Sequence, residues 1–445
     1  MINLSGRLFL YDRDIDSEGA LGIMKKRSIS SRLAMYSVLF FVLYVAIFLA
    51  AFISQQRSEE KESIPIGIDY RMMYAAGETA LSGNAVDVYK VPVQQAIVEQ
   101  MLGTEMPKDV IWFYPPTFLL AIISLFSTLP FYVSMFLWLI ATLILAVISA
   151  RFLVHKQKSL ALLTIGYPSV LFTARWGQNS FLSTSLMSLG IAFMESKPVL
   201  SGLFFGLLTY KPQLAVFPFL ILLVTKKWKV FRWSVFFTLV TVLCSVILFG
   251  VDTWLAFFQY FFKQTPALLS SVWIKTAAIQ PTLYTALRLL GIKGALLDVF
   301  MGIVGIAATV LAMLVWKNTS RITLRGSAMV LGMFTFLPYF IQYDLMLLCI
   351  PLMLLVQDFI EYGCRTEEVI LVIALWLLPL INMTIVNETL VQICPFVAMI
   401  ALVFVLLRTK RTALSPIKIP AEAASEQLKT NLTSNSFNEQ ESSVG

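Results

Sequence analysis

The sequence predicts an all-α membrane protein, a polytopic transmembrane helical bundle of about 11 to 13 spans with interfacial helices in its external loops. Of 445 residues, 58% are hydrophobic and 13% are charged, whereas a soluble domain has roughly 25% charged residues. Several apolar runs reach about 20 residues, the length that crosses a hydrocarbon core. In lipid, a helix satisfies its own backbone hydrogen bonds, so these spans are helical.

The two ends of the chain are polar, and both are predicted to be cytoplasmic. The first 24 residues contain four acidic residues and no early apolar core, unlike a cleavable signal peptide. A basic group, Lys25 to Arg32, precedes the first span at 33–53 and holds residues 1–32 in the cytoplasm. Residues 412–445 are rich in Ser, Asn, Glu and Thr and predict a disordered tail. The membrane-embedded domain is therefore 33–411.

Basic clusters along the chain set the remaining topology. The first external loop is predicted at 54–113 and contains interfacial helices. Later clusters, at Lys226–Arg232, Lys317–Arg325, Arg365 and Arg408–Arg411, alternate with external segments for spans near 230–250, 296–316, 327–343, 345–359, 369–386 and 390–408. This leaves a second external loop at 251–295. Within it, an apolar stripe at helical spacing predicts an amphipathic helix near 281–291 that roofs the site.

The span order is less determined in the middle of the chain. Residues 115–154 predict two helices broken at Leu129 and Pro130, one of them re-entrant or interfacial. If 155–158 and 195–197 are both cytoplasmic, then 175–179 and 210–213 face outward. We favour this arrangement, and the parity of the spans between 115 and 178 stays open.

Composition also excludes several classes of function. Four cysteines are scattered singly and His155 is the one histidine, so zinc, haem and iron-sulfur centres are not expected. The net charge of +8 resides in short segments between spans, which indicates topology and not nucleic-acid binding. No glycine-rich phosphate loop follows a strand. We expect no cofactor, and a requirement for a divalent metal stays open.

Four charged residues fall close to or within apolar segments on the predicted outer side: Asp69, Arg175, Lys211 and Asp344. Such residues are costly in a membrane and usually functional. Two cations could stabilise a lipid phosphate that leaves, and Asp69 could take the proton of an attacking hydroxyl. Each also has a purely structural alternative: Asp69 as a helix cap, the two cations reaching to headgroups, and Asp344 paired with a neighbouring helix.

The order of short motifs resembles the polyprenol-phosphate-mannose-dependent glycosyltransferase family 87, which has the GT-C membrane fold. The resemblance spans roughly 65–355, and no single motif in it is strong. The segments that carry it are Asp69, Tyr70 and Tyr74, then Tyr114–Pro116, Gly177–Asn179, Gly202–Gly206, Lys211–Gln213, Lys226–Lys229, and Pro338, Tyr339, Tyr343 and Asp344. It implies that Asp69 is the catalytic base.

One departure concerns the late segment, where characterised mannosyltransferases of the family have a histidine. Here the segment reads Gln342, Tyr343, Asp344, so the donor sugar stays open between mannose and another lipid-linked hexose or pentose. A carboxylate repels phosphate and accepts hydrogen bonds from hydroxyls, which favours sugar or acceptor recognition for Asp344. The predicted donor-phosphate set is Arg175, Lys211 and Gln178, and the predicted sugar or acceptor set is Tyr70, Tyr74, Asn179, Gln342, Tyr343 and Asp344.

The resemblance and the charges together predict an inverting glycosyltransferase of the bacterial inner membrane. It would move a sugar, with mannose the first candidate, from a polyprenyl-phosphate donor to a glycolipid or polysaccharide acceptor on the outer face. Its partners would be these substrates and membrane lipids, without nucleic acid. Two alternatives stay open. A lipid-linked-sugar transporter or flippase would show inverted repeats, and none is convincing. A polysaccharide polymerase or ligase would place its key residues in a large late loop, for which 251–295 is available.

Overall fold

The computed structural model describes residues 18–57, 65–103, 105, 112, 114–122, 127–270, 277 and 279–411, with side chains described from 29 onward except at 266–270. The predicted tail at 412–445 lies outside this part. The described chain is helical, without strands. Its helices are α1 Glu18–Arg57, α2 Ile68–Leu81, α3 Val91–Leu102, α4 Pro116–Ile122, α5 Phe131–Leu153, α6 Leu163–Gly166, α7 Ser169–Trp176, α8 Ser180–Phe193, α9 Pro198–Leu207, α10 Pro212–Val224, α11 Trp228–Phe249, α12 Val251–Ser270, α13 Leu283–Leu289, α14 Ala295–Asn318, α15 Ile322–Phe336, α16 Cys349–Tyr362, α17 Thr366–Thr389 and α18 Cys394–Arg408.

Six helices in the described residues are long and apolar enough to cross a membrane. They are Ile29–Arg57 of α1, then α5, α11, α14, the segment Gln342–Tyr362 that ends in α16, and α17. Five shorter apolar helices, α8, α9, α10, α15 and α18, complete the bundle. The apolar stretch in Gln342–Tyr362 is 83% buried, whereas the apolar stretch in α1 is 11% buried. The first is therefore the centre of the bundle, and α1 lies on its periphery.

The predicted breaks in the helices agree with the structure, and one predicted span is shorter. Helices α4 and α5 are separated at 127–130, as Pro130 indicated. The span predicted at 327–343 ends at Phe336 because Leu337, which precedes Pro338, is extended. The chain then re-enters the bundle through a 3₁₀ helix, Gln342–Leu348. This break places Tyr343 and Asp344 on a non-α turn.

The second predicted external loop contains two helices. One is α13, which occupies the place of the predicted amphipathic helix and begins where the Thr282 hydroxyl accepts from the Thr285 N–H at 3.1 Å. It packs on α14 and α18 through Leu283 and Leu287, while Leu290 is exposed. Its position as a roof over the site stays a prediction. The other helix, α12, has 20 residues and fills a stretch that was predicted as loop.

Ion pairs gather the basic segments at one end of the bundle. Lys156 pairs with Glu361 at 2.9 Å, and Glu195 pairs with Lys227 at 2.6 Å and with Arg325 at 3.0 Å. These contacts bring residues 156, 195, 227 and 325 to the same end, as the favoured arrangement requires. We call it the basic end. Which side of the membrane it faces stays a prediction.

Candidate active site

Two chain segments cross in close contact at Gly67, just before α2, and at Gly177, just after α7. Gly67 and Gly177 both have left-handed backbones with φ of 71°, and the Gly67 N–H donates to the Arg175 carbonyl at 2.9 Å. A Cβ on Gly177 would lie 2.6 Å from Cβ of Tyr70 and 3.1 Å from Cα of Gly67. Only glycine tolerates this approach and this φ. The crossing brings Asp69 and Gln178 side by side.

The turn before Asp69 is held by side chains from two helices. The Ile66 N–H donates to Oε1 of Gln55 in α1 at 2.9 Å. The Ile66 carbonyl accepts from Nη1 of Arg71 in α2 at 2.6 Å. With the Gly67 contact to α7, three helices fix this turn. Asp69 therefore sits in the first turn of α2, where the helix dipole favours a carboxylate.

Gln178 connects four groups at the centre of the site. Its Nε2 donates to Oδ2 of Asp69 at 2.9 Å and to the Tyr343 hydroxyl at 3.1 Å. Its Oε1 accepts from the Tyr114 hydroxyl and from the Asn179 N–H, both at 3.0 Å. Both amide hydrogens and both acceptor positions are thus engaged. Gln178 holds Asp69 in place, and a phosphate could reach its amide only by displacing one of these partners.

Beside Gln178 lies a buried ion pair between α10 and the late 3₁₀ helix. Nζ of Lys211 is 2.5 Å from Oδ1 of Asp344, and the two residues are 3% and 1% exposed. Lys211 also donates to Oδ1 of Asn179 at 3.2 Å, and the Ser180 hydroxyl donates to Asp344 at 3.0 Å. Because Asn179 follows Gln178 directly, the pair lies on the same side of the bundle as Asp69. Lys211, predicted to bind phosphate, and Asp344, predicted to bind sugar or acceptor, are therefore in direct contact with each other.

The electrostatics of Asp69 suit a proton acceptor. Burial raises its pKa to about 6, against a smaller lowering by the Gln178 hydrogen bond and by the charge of Lys211, with Asp344 raising it further. The carboxyl is half-buried. It is therefore mostly ionised at neutral pH while being more basic than an exposed aspartate.

Four predicted binding residues lie beside this network. The Tyr70 hydroxyl shares a hydrogen bond of 2.6 Å with Ser134, and the Tyr74 hydroxyl donates to the Leu129 carbonyl at 2.8 Å. Nε2 of Gln342 donates to the Pro379 carbonyl at 3.1 Å. Arg175 is half-buried in the last turn of α7, two residues before Gly177. Their predicted roles in binding stay predictions.

Three neutral residues in the network were not predicted as site residues. Besides Tyr114 and Ser180, Tyr210 belongs to it: its hydroxyl bonds to Ser183 at 2.6 Å and lies 3.2 Å from the Asn179 carbonyl oxygen. All lie in or next to the motifs that carry the resemblance. Uncharged hydroxyls are common in apolar helices, so only their adjacency to Pro115, Asn179 and Lys211 could have indicated them.

The acidic residues of the site do not form a metal cage in the described part of the chain. No group of three or more His, Cys, Asp or Glu side chains is close enough there to hold a metal ion. Asp69 and Asp344 are instead bound to Gln178 and Lys211.

A sequence profile of glycosyltransferase family 87 matches residues 112–339, about half of the chain. The matched region includes Arg175, Gln178, Asn179 and Lys211, whereas Asp69 and Asp344 lie outside it on either side. No curated protein and no solved structure matched the chain.

Proposed function

Because the chain belongs to glycosyltransferase family 87, we propose that this membrane glycosyltransferase takes its sugar from a polyprenyl-phosphate carrier. The acceptor is a glycolipid or a polysaccharide at the outer face of a bacterial inner membrane, and mannose is the first candidate sugar. The observation that carries the proposal is the Asp69 carboxyl, held by one oxygen next to the buried Lys211–Asp344 pair.

Asp69 acts as the general base in this proposal. Its Oδ2 is held by Gln178, and no described residue engages Oδ1, which is left to take the proton of the acceptor hydroxyl. The acceptor oxygen forms a bond to the anomeric carbon as the bond from that carbon to the phosphate oxygen breaks. Polyprenyl monophosphate leaves, the proton stays on Asp69, and the anomeric configuration is inverted.

The leaving phosphate needs cations, and we assign Arg175 and Lys211 to it. Arg175 lies in the last turn of α7, two residues before Gly177, and Lys211 is paired with Asp344. When the donor binds, phosphate oxygens replace Asp344 as the partners of Lys211. Asp344 then accepts hydrogen bonds from sugar hydroxyls. Charge-assisted bonds to phosphate offset the loss of the buried pair.

The proposed orientation follows from the basic end. Lys156, Lys227 and Arg325 cluster there, and basic segments prefer the cytoplasm. Lys211 precedes α10, whereas Lys227 follows that helix, so Lys211 lies at the opposite end, and Gln178 and Asn179 connect it to Asp69. The site therefore faces outward, where the cytoplasmic nucleotide sugars are absent and a lipid carrier must supply the sugar.

A transfer assay tests the donor class. The purified chain in lipid nanodiscs would be incubated with polyprenyl-phosphate carrying radiolabelled mannose and with a glycolipid extract from bacterial membranes. We expect label in the glycolipid, release of polyprenyl phosphate, and an inverted anomeric configuration by NMR. GDP-mannose and UDP-glucose serve as parallel donors.

Three results would contradict the proposal. Transfer from a nucleotide sugar and not from the lipid donor would exclude the donor class. Passage of the lipid donor across a liposome bilayer without product would indicate a flippase. An unchanged rate for Asp69→Asn would remove the proposed base.

A further inference from the structure

Helix α12 has three distinct faces. Thr253, Phe257 and Tyr260 are buried against the protein. A second face exposes large apolar side chains: Val251, Leu255, Phe258 and Phe262 are 45% to 69% exposed. A third face exposes polar side chains, Asp252, Gln259 and Lys263. The helix is not among those long and apolar enough to be candidate spans.

The angles between these faces indicate three environments. At about 100° per residue, the exposed apolar stripe is centred roughly 90° from the polar stripe, and the buried residues fill the remaining side. If both exposed faces of α12 were in water, an exposed apolar stripe beside the polar one would not be expected. If both were in lipid, an exposed polar stripe would be costly. Protein, water and hydrocarbon on three sides describe a helix in the plane of the membrane interface.

The place of α12 in the fold also indicates that hydrocarbon lies beside the apolar stripe. Gly250, with φ of 80°, is the one residue between α11 and α12. The last turns of α11 expose Ile247 and Leu248, which extend the apolar surface of a membrane-length helix up to α12. The first turn of α11 follows Lys227 at the basic end, so α12 lies at the Asp69 end.

Aromatic contacts connect α12 to the site. The rings of Phe257 and Tyr260 lie 5.6 Å and 6.3 Å from the ring of Tyr89. The Tyr89 hydroxyl donates to the Tyr114 carbonyl at 2.9 Å, and the Tyr114 hydroxyl donates to Gln178. Gln178 in turn holds Asp69. A continuous set of packed rings and hydrogen bonds thus joins the helix to the carboxyl.

We propose that α12 docks on the lipid bilayer as an interfacial helix, with Val251, Leu255, Phe258 and Phe262 among the acyl chains. Asp252, Gln259 and Lys263 face the water. The helix thereby sets the depth of Asp69 relative to the lipid phosphates through Tyr89 and Tyr114. The docking stands independently of the sugar and the acceptor, because it rests on α12 and its neighbours alone.

Depth measurements on single cysteines test the docking. The four native cysteines would be replaced by alanine, and one cysteine placed at 255, 258 or 262, or at 252, 259 or 263 as the matched set. Each variant, labelled with bimane in nanodiscs, is exposed to brominated lipids and to iodide in the water. We expect the first set to be quenched by bromolipids at one common depth, and the second set by iodide.

Three outcomes would overturn the proposal. Equal iodide quenching of both sets would place the apolar stripe in water. A depth that changes steadily from 255 to 262, by about 1.5 Å per residue, would show a helix that crosses the bilayer. Protection of the apolar stripe from both quenchers would show that protein covers it. The polar set controls for the label and for folding, and none of these outcomes depends on glycosyl transfer.

A pair of lysine variants tests the assignment of the faces. Phe258→Lys should reduce bromolipid quenching at 262 by about twofold, because a charge on the apolar stripe weakens insertion. Gln259→Lys, one residue away on the polar face, should leave it unchanged. Equal effects of the two lysines would contradict the assignment of the faces.

Discussion

The two ends of the bundle each contain a buried ion pair with a 2.5 Å contact, and they differ in what surrounds it. At the basic end, Arg408 bonds through Nε to Asp358, through Nη1 to Glu368 at 2.9 Å, and through Nη2 to the Asp358 and Gly363 carbonyls. Every nitrogen of the guanidinium is engaged. This network joins α16, α17 and α18.

At the other end, the Lys211–Asp344 pair has a carboxyl beside it that no described cation pairs with. Asp69 is held by the neutral amide of Gln178, and its pKa is raised to about 6. Buried polar groups in proteins are normally satisfied, so a basic, half-satisfied carboxyl calls for a functional reason. Burial of charge alone therefore does not distinguish a site from a structural network, whereas spare hydrogen-bonding capacity does.

The largest expected effect is the loss of the base. Asp69→Asn keeps the size of the side chain and should reduce sugar transfer by about 10² to 10⁴, measured with the radiolabelled lipid donor in nanodiscs. The helix content and the melting temperature should stay unchanged. Asp358→Asn at the basic end is the matched change, and it should lower the melting temperature while leaving the rate per folded molecule intact. The reverse pattern would exchange the roles of the two ends.

The basic end is tested next by removing its cation. Arg408→Met leaves Asp358 and Glu368 buried without their shared partner, which should lower the free energy of unfolding by about 3 to 5 kcal/mol. The measurement is thermal unfolding followed by size-exclusion chromatography in detergent. Transfer per folded molecule should equal that of the unchanged chain. A selective loss of transfer without loss of stability would show that this network takes part in function.

A smaller effect is expected when the site pair is removed as a unit. The double change Lys211→Met with Asp344→Leu should unfold at a higher temperature than either single change, because each single change leaves a buried charge unpaired. Donor binding should weaken about 10- to 100-fold, the size of one lost charge-assisted bond. Fluorescence titration with polyprenyl-phosphate mannose measures it. Unchanged donor affinity would limit the pair to a structural role.

The sequence could predict the charged part of this site and not its connections. Asp69, Lys211 and Asp344 were identified because charges in apolar segments are rare, and the structure places them together. Gln178 appeared only as a phosphate ligand, since the sequence does not indicate which partners a neutral amide will find. Helix α12 falls in the segment 251–295, which the register of the neighbouring spans left as an external loop, and polar residues such as Asp252, Gln259 and Lys263 interrupt its apolar run. The break before Tyr339 was missed, because the span predicted at 327–343 ran through Pro338, although the residue before a proline is biased away from the helical conformation.

The smallest and most specific effect concerns the pH dependence of transfer. The hydrogen bond from Gln178 favours the ionised form of Asp69 and lowers its pKa, which lies at about 6. The base must be ionised to take a proton, so the rate should fall tenfold for each pH unit below about 6. Gln178→Leu removes the bond, and the pKa of Asp69 should rise, so the acidic limb moves toward neutral pH. The rate above pH 8 should recover more than the rate at pH 6. Gln357→Leu, another buried glutamine next to Asp358, is the control and should leave the limb in place. Rates measured from pH 5 to 9 decide the matter: a limb that stays at about 6 in the Gln178 variant would mean that this amide does not tune Asp69.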